Sequence, residues 1–368
     1  MKNLLVVYDG TLYTYKWIKT LFWAYNEFLE RGYSIHYASI SSFFPIKEIA
    51  YRQMDSVLSK QQVDVLLIAY HPSTAHFYNR GKLSKIELLQ TLREKCGRIV
   101  WLDTADSTGT TQFEVMPYVD VYLKKQILKD VSLYEQHHYG QRVYLDYYHN
   151  KYSLDDSDID AQYALLDPKY ADKLRVSWNM GLADIWRKGR QVVVHPFTIS
   201  KPQMVPVAKE RPIDVFFNGT VKYTSLVSFQ RKKTCDLIKQ DTIRNHPDPL
   251  AKMSYDEYID CMKKSKSALS PFGWGEICYR DFEIIVNGAV LLKPSVEHLQ
   301  TYPNIYIANE TYIPLDWDLA NYERAVEQID TDHYKDIAAN AQSVMREYLY
   351  DNKSKELFVN HLIEVIER

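Results

Sequence analysis

The sequence holds little that would mark a disulfide-stapled, membrane-spanning or nucleic-acid-binding chain. Its 368 residues include four cysteines, Cys96, Cys235, Cys261 and Cys278, scattered with no Cys-x-x-Cys pair. That spacing argues against a disulfide frame or a zinc site and fits reduced thiols in a cytoplasmic protein. No apolar run approaches bilayer-spanning length. The opening apolar stretch, Met1 to Tyr8, is one strand long and stops at Asp9-Gly10, too short for a signal-peptide core. Charge is balanced: 45 basic and 47 acidic residues leave a net of −2, which provides no field to gather nucleic acid. Internal repeats and low-complexity tracts are absent too.

What is present is an ordinary globular balance, 46% hydrophobic and 25% charged, in a chain long enough for two domains. Tyrosine outnumbers phenylalanine, 30 to 13. Each tyrosine ring has an apolar face and a polar tip, a combination that suits stacking on sugars or bases, although most single tyrosines simply sit half-buried.

The first half alternates strands with helices. Leu4 to Tyr8 reads as a buried strand, and Tyr15 to Arg31 as a helix ended by Gly32. Ser34–Ile40 reads as a strand, Ile46–Ser59 as a helix and Val63–Tyr70 as a strand. A helix from Ser84 to Lys95 and a strand from Arg98 to Leu102 follow. This alternation predicts a parallel, doubly wound sheet, with ligand groups at the carboxyl ends of the strands. Those ends carry His71 and, after the fourth strand, Asp103 and Asp106. The carboxylates are candidate general bases, with turn capping as the alternative. The basic run Lys124, Lys125 and Lys129 reads as a solvated face or as a steering patch for an anionic acceptor. Tyr144, Tyr147, Tyr148 and His149 read as an aromatic lip for an acceptor. A helix is expected after Gly181, running through Trp186, and a strand over Arg190–Val194.

Pro202, Pro206 and Pro212 mark a linker over 201–212. The winding then restarts, with a strand over Ile213–Asn218, a turn at Gly219 and a basic helix bearing Arg231. Ser254 and Glu257 form a capping box at the head of a helix running to Lys264. Three helices close the chain, over Tyr322–Gln328, Tyr334–Leu349 and Ser354–Ile366.

The most informative stretch is Ser270–Pro294, SPFGWGEICYRDFEIIVNGAVLLKP. A loop with Gly273, Trp274 and Gly275 leads into a helix over about Ile277–Asn287, a Gly288 cap and a buried strand. A glycine loop feeding a helix N-terminus suits a phosphate. Arg280 and Glu283 share one face of that helix; the guanidinium suits phosphate and the carboxylate suits ribose or sugar hydroxyls.

Phe272-Gly273, then Glu283 five residues before Gly288, resembles the donor-site signature of GT-B glycosyltransferases of the group 1 (family 4) type. It is also similar to exostosin-like and spore-coat glycosyltransferase-like C-terminal domains. The resemblance covers about the last 150 residues clearly and the rest more loosely. Glu283 stands where those families keep the second glutamate of a Glu-x7-Glu motif, which holds the ribose. The first is out of register, since Gly275 occupies its place and Glu276 comes one later. The resemblance implies an α/β fold of GT-B type, two Rossmann-like doubly wound domains facing a central cleft. Residues 1–200 would form the acceptor domain and 213–345 the donor domain, with 346–368 a terminal helix packing back on the first. It implies a nucleotide-sugar donor held by Gly219, Arg231, Gly273, Trp274, Gly275, Glu276, Arg280 and Glu283. A glycan or lipid-linked acceptor would lie near His71, Tyr147 and His149, with peripheral membrane contact. No metal and no cofactor are expected. A nucleotide-sugar 2-epimerase and a non-catalytic glycan- or nucleotide-binding subunit are the alternatives on the same fold.

Overall fold

The structure is a computed structural model that describes residues 1–9, 11–39, 58, 62–70, 85–156, 163–186, 197–207, 210–222 and 225–368. In the first unit β1 (Lys2–Tyr8) runs into α1 (Leu12–Trp23) and α2 (Tyr25–Glu30), followed by β2 (Tyr33–Ser39), β3 (Val63–Tyr70), α3 (Lys85–Arg93) and β4 (Cys96–Asp103). After these come β5 (Val121–Lys124), β6 (Gln126–Leu128), α4 (Val143–Tyr152) and β7 (Leu174–Val176). Five strands join β1 in one sheet, ordered β2-β1-β3-β4-β5-β7, and every pairing is parallel. Near-continuous apolar runs such as Leu4–Val7 and Leu66–Ala69 are buried, as a sheet covered on both faces requires.

The second unit holds β8 (Ile213–Phe216), α5 (Ser225–Gln240), α6 (Tyr255–Lys263), β9 (Ser265–Leu269), α7 (Tyr279–Val286) and β10 (Val290–Pro294). Then come β11 (Leu299–Thr301), β12 (Ile313–Leu315), α8 (Tyr322–Glu327), α9 (His333–Leu349) and α10 (Ser354–Glu367). Its parallel sheet is ordered β12-β10-β9-β8. Two Rossmann-like parallel α/β units thus face one another, the GT-B arrangement. The Ser254–Glu257 capping box forms at the head of α6. Gly288 takes φ +72 just past α7, a conformation few side chains accept.

Several local expectations are corrected. The helix expected over Tyr15–Arg31 bends at buried Ala24 into α1 and α2. The bend lets Phe28 pack on Phe358 of α10, so tertiary contact overrides the continuous periodicity. Over the described residues 181–186 there is no helix after Gly181. The Asn179 side chain accepts from the Gly181 amide, and buried Asp184 pairs with Lys19, which fixes this segment as turns. Lys124 and Lys125 do not form a solvated or steering face: both are buried, paired with Asp103 and Asp106. Tyr144 and Tyr148 belong to the packed boundary between units rather than to an open lip. The expected helix over 46–59 and strand over 190–194 lie outside the described residues, apart from Leu58 in the helix.

The two units are tied together closely. β11 pairs antiparallel with β6 across the boundary. Asn179 of the first unit donates to the Pro303 carbonyl, and α10 crosses back so that His361 meets the Val176 and Ser177 carbonyls. Among the described residues no helix is long and apolar enough to cross a membrane.

Candidate functional site

Parallel strands leave their sheet at one edge, and the loops after adjacent strands lie side by side there. In the second unit these are Phe217–Thr220 after β8 and Ser270–Cys278 after β9. Each loop is met by a guanidinium carried on a helix. Arg280, in the first turn of α7, donates through Nη2 to the Asn218 carbonyl (3.1 Å) and lies 5.0 Å over the Phe217 ring. A Cβ on Gly219 would stand 2.8 Å from that Nη2. Arg231, on α5, donates to the Thr220 carbonyl (3.1 Å) and the Phe272 carbonyl (3.4 Å). A Cβ on Gly273 would stand 2.5 Å from its Nη2. Both glycines therefore make room for guanidinium groups. Nε and Nη1 of Arg280 are shielded from solvent, with the Tyr258 hydroxyl as the guanidinium's polar neighbour and no acceptor at close hydrogen-bond geometry among the described residues.

The head of α7 is built from underneath. Asp281 accepts from the Cys278 amide, the Ser270 hydroxyl, the Tyr306 hydroxyl and Lys293, all within a buried cluster. This carboxylate already takes one helix-terminal amide and brings negative charge there, so the two arginines rather than the helix dipole dominate anion attraction. Glu283, one turn on, accepts from Tyr255 (3.3 Å) and Tyr258 (3.1 Å). Tyr255 and Tyr279 are each 47% exposed and give this edge two open rings. Neither tyrosine stood out in the sequence, where spacing distinguishes them from no other tyrosine.

Trp274 is exposed above Arg142, whose Nε donates to the Trp274 carbonyl (3.0 Å). Gly275 meets the first unit directly, since a Cβ there would lie 2.0 Å from the Asp106 carbonyl oxygen. Glu276 is fully buried and faces the first unit. It accepts from the Thr108 hydroxyl (2.6 Å), the Thr108 amide (3.2 Å) and Gln126 Nε2 (2.8 Å). Those bonds satisfy a buried carboxylate that would otherwise be costly to place there.

The two carboxylates after β4 occupy unlike settings. Asp103 is fully buried and accepts from Tyr122 (2.5 Å), Lys124 (3.0 Å) and the Ala105 amide (2.8 Å). The Asp106 side chain is 46% exposed, held by Lys125 (3.2 Å) and the Tyr13 hydroxyl (3.3 Å). Burial and this carboxylate raise the Tyr13 phenol well above its ordinary value, and the same two causes raise Tyr279. Tyr147 packs edge-on to Trp317 and accepts from Lys151. His149 stacks on Tyr139 and contacts the Leu154 carbonyl within its own unit. His71 lies outside the described residues. Among the described residues no group of three histidine, cysteine or acidic side chains is arranged to hold a metal ion.

No family profile and no curated protein matches the chain. Solved structures do. A glycosyltransferase from Rickettsia africae overlays with a TM-score of 0.46 at 11% identity, covering 100% of this chain and 98% of its own. An alpha-glucosyltransferase in complex with UDP gives 0.44 at 12%, covering both chains completely. A UDP-N-acetylglucosamine 2-epimerase gives 0.40 at 11%, over 99% of this chain and 96% of its own. The likeness is one of layout.

Proposed function

We propose that this chain is a glycosyltransferase that moves a sugar from a nucleotide-activated donor to a glycan or lipid-linked acceptor, of the kind used in bacterial surface-polysaccharide synthesis. The observation that carries the reading is the pair of guanidinium groups, Arg231 and Arg280, seated on two glycines at one sheet edge. In it, Arg231, Arg280, Gly219 and Gly273 bind the diphosphate and Glu283 the ribose, with Tyr255 and Tyr279 beside it. Trp274 lies at the sugar end, while Gly275 and Glu276 hold the loop against the first unit. The acceptor docks on the first unit, with His71, Tyr147 and His149 as its contacts. Its hydroxyl oxygen attacks the anomeric carbon and gives its proton to Asp106, while the bond from that carbon to the diphosphate oxygen breaks. The two arginines offset the charge that develops on the leaving group, which requires no metal ion. Asp103, sealed beneath Tyr122 and Lys124, is left as a support for the loop that carries Asp106.

The test is nucleotide binding and transfer in Arg280→Ala. A lost charge-assisted contact of about 1.5–3 kcal/mol corresponds to a roughly 10- to 150-fold weaker nucleoside diphosphate complex. Loss of the bond to the Asn218 carbonyl and of packing on Phe217 should also lower the melting temperature modestly, so binding is read well below the transition. Wild-type affinity in this variant would overturn the assignment. Incubation with a nucleotide sugar alone separates the epimerase alternative, which converts donor without acceptor.

A further inference from the structure

At the other end of the same sheet edge lies a pocket that the donor reading leaves unused. It is an open trough of ≈ 420 Å³ lined by Tyr147 and Lys151 of α4, Ser295 and His298 after β10, and Trp317 and Asp318 after β12. Both units contribute to it. Gln230 links it to the donor loops: its Nε2 donates to the Trp317 carbonyl (2.6 Å), and its Oε1 accepts from the Phe272 amide (2.7 Å).

Three features specify a ligand class. The walls are aromatic, with Trp317 meeting Tyr147 at 5.5 Å and His298 at 5.0 Å between ring centroids, both edge to face. Both ring nitrogens of His298 are shielded from solvent in the trough wall and have no hydrogen-bond partner among the described residues. Native structures rarely leave such groups unsatisfied, and an imidazole with one donor and one acceptor matches a hydroxyl, which is both. Burial, only partly opposed by Glu276, holds this histidine below its ordinary value, so the neutral ring is the form present at neutral pH. The charges, finally, do not favour an anion. Lys151 is already paired with Asp318 (2.7 Å), and Asp316 adds a further carboxylate. Phosphate would meet an excess of negative groups, whereas an uncharged ring rich in hydroxyls would meet aromatic surface, carboxylate acceptors and an unused imidazole.

We infer that this trough is a saccharide-binding subsite, taking one neutral pyranose residue against Trp317 and Tyr147 with His298 hydrogen-bonded to a ring hydroxyl. It rests on the transferase reading only in taking that sugar to be part of the acceptor glycan.

The experiment is saturation-transfer NMR on the full chain with a panel of neutral monosaccharides and disaccharides, with inorganic phosphate and a nucleoside as comparators. Wild type, His298→Ala, Trp317→Phe and Arg280→Ala are compared. At least one saccharide should bind wild type and Arg280→Ala alike. It should bind His298→Ala on the order of tenfold more weakly, the size expected for one lost hydrogen bond of about 1.4 kcal/mol. Trp317→Phe keeps an aromatic wall and should retain measurable binding, and a melting temperature of His298→Ala near that of wild type guards against misfolding of the histidine variant. Saccharide affinity unchanged in His298→Ala, or phosphate or nucleoside competing at this pocket, would overturn the inference. Nucleotide binding without any saccharide contact at Trp317 sinks the subsite and leaves the transferase standing. Saccharide binding in a chain that takes no nucleotide does the reverse.

Discussion

At Gly275 the two units approach backbone to backbone, and a single methyl group probes that approach. In Gly275→Ala the new Cβ would lie 2.0 Å from the Asp106 carbonyl oxygen. An ordinary carbon–oxygen contact is about 3.3 Å, so the two loops must part by roughly an ångström, and neither atom sits on a flexible side chain. Overpacking of this kind costs about 1–3 kcal/mol and should lower the melting temperature by several degrees. The catalytic consequence is larger. The displaced carbonyl belongs to the proposed base, and the neighbouring Glu276 clamp on Thr108 and Gln126 must shift with it. A misplacement of about 1 Å between reacting groups can cost on the order of 100-fold in rate. Because Arg231 and Arg280 both remain within the second unit, nucleotide affinity by calorimetry should stay within about threefold of wild type. The paired measurements are initial rates of nucleotide release with donor and acceptor, and nucleoside diphosphate titration. Full turnover in Gly275→Ala would show that the contact between the units does not position the reacting groups.

Gly273→Ala should behave differently. Its Cβ meets the movable end of Arg231 at 2.5 Å, so nucleotide binding should weaken with little loss of stability, as read by calorimetry and thermal melting. Asp103→Ala strands buried Lys124 and should cost about 3–5 kcal/mol of stability, whereas Asp106→Asn, which keeps an acceptor for buried Lys125, should melt closer to wild type and lose about 10²–10⁴-fold in kcat. Equal melting temperatures for the two would contradict their different burial. Burial would raise the Asp318 carboxyl, but Lys151, the Ala320 amide and Tyr152 together hold it down to about 2. Its stabilising effect is therefore complete above the ordinary aspartate value and fades as pH falls through about 2. An NMR titration should show this, and Lys151→Ala should move the midpoint upward.

The two windings were legible because buried parallel strands read as unbroken apolar runs. Val63–Tyr70 appears in the fold with the same limits as in the sequence pattern, and the α6 capping box is a purely local device. Arg280 and Glu283 could be singled out because i, i+3 spacing fixes a shared helix face. What sequence could not supply was the partner across the chain. Lys124 and Lys125 look like a charge run until the carboxylates that bury them, some 20 residues earlier, are placed beside them. Tyr144 and Tyr148 similarly resemble a surface cluster until the Gly273 and Trp317 carbonyls cover their hydroxyls. Glu276 is one position from the glutamate of the glycosyltransferase motif that this stretch resembles, and its burial against Thr108 follows from long-range packing that no local spacing encodes.

The short antiparallel ladder between β6 and β11 limits how this molecule can breathe. A clamshell swing of one half away from the other would have to break Leu128–Leu299 and its neighbours in register and expose the Glu276 carboxylate. Parting the units would therefore carry the cost of that ladder and of a carboxylate stripped of its partners, so the resting arrangement is the closed one.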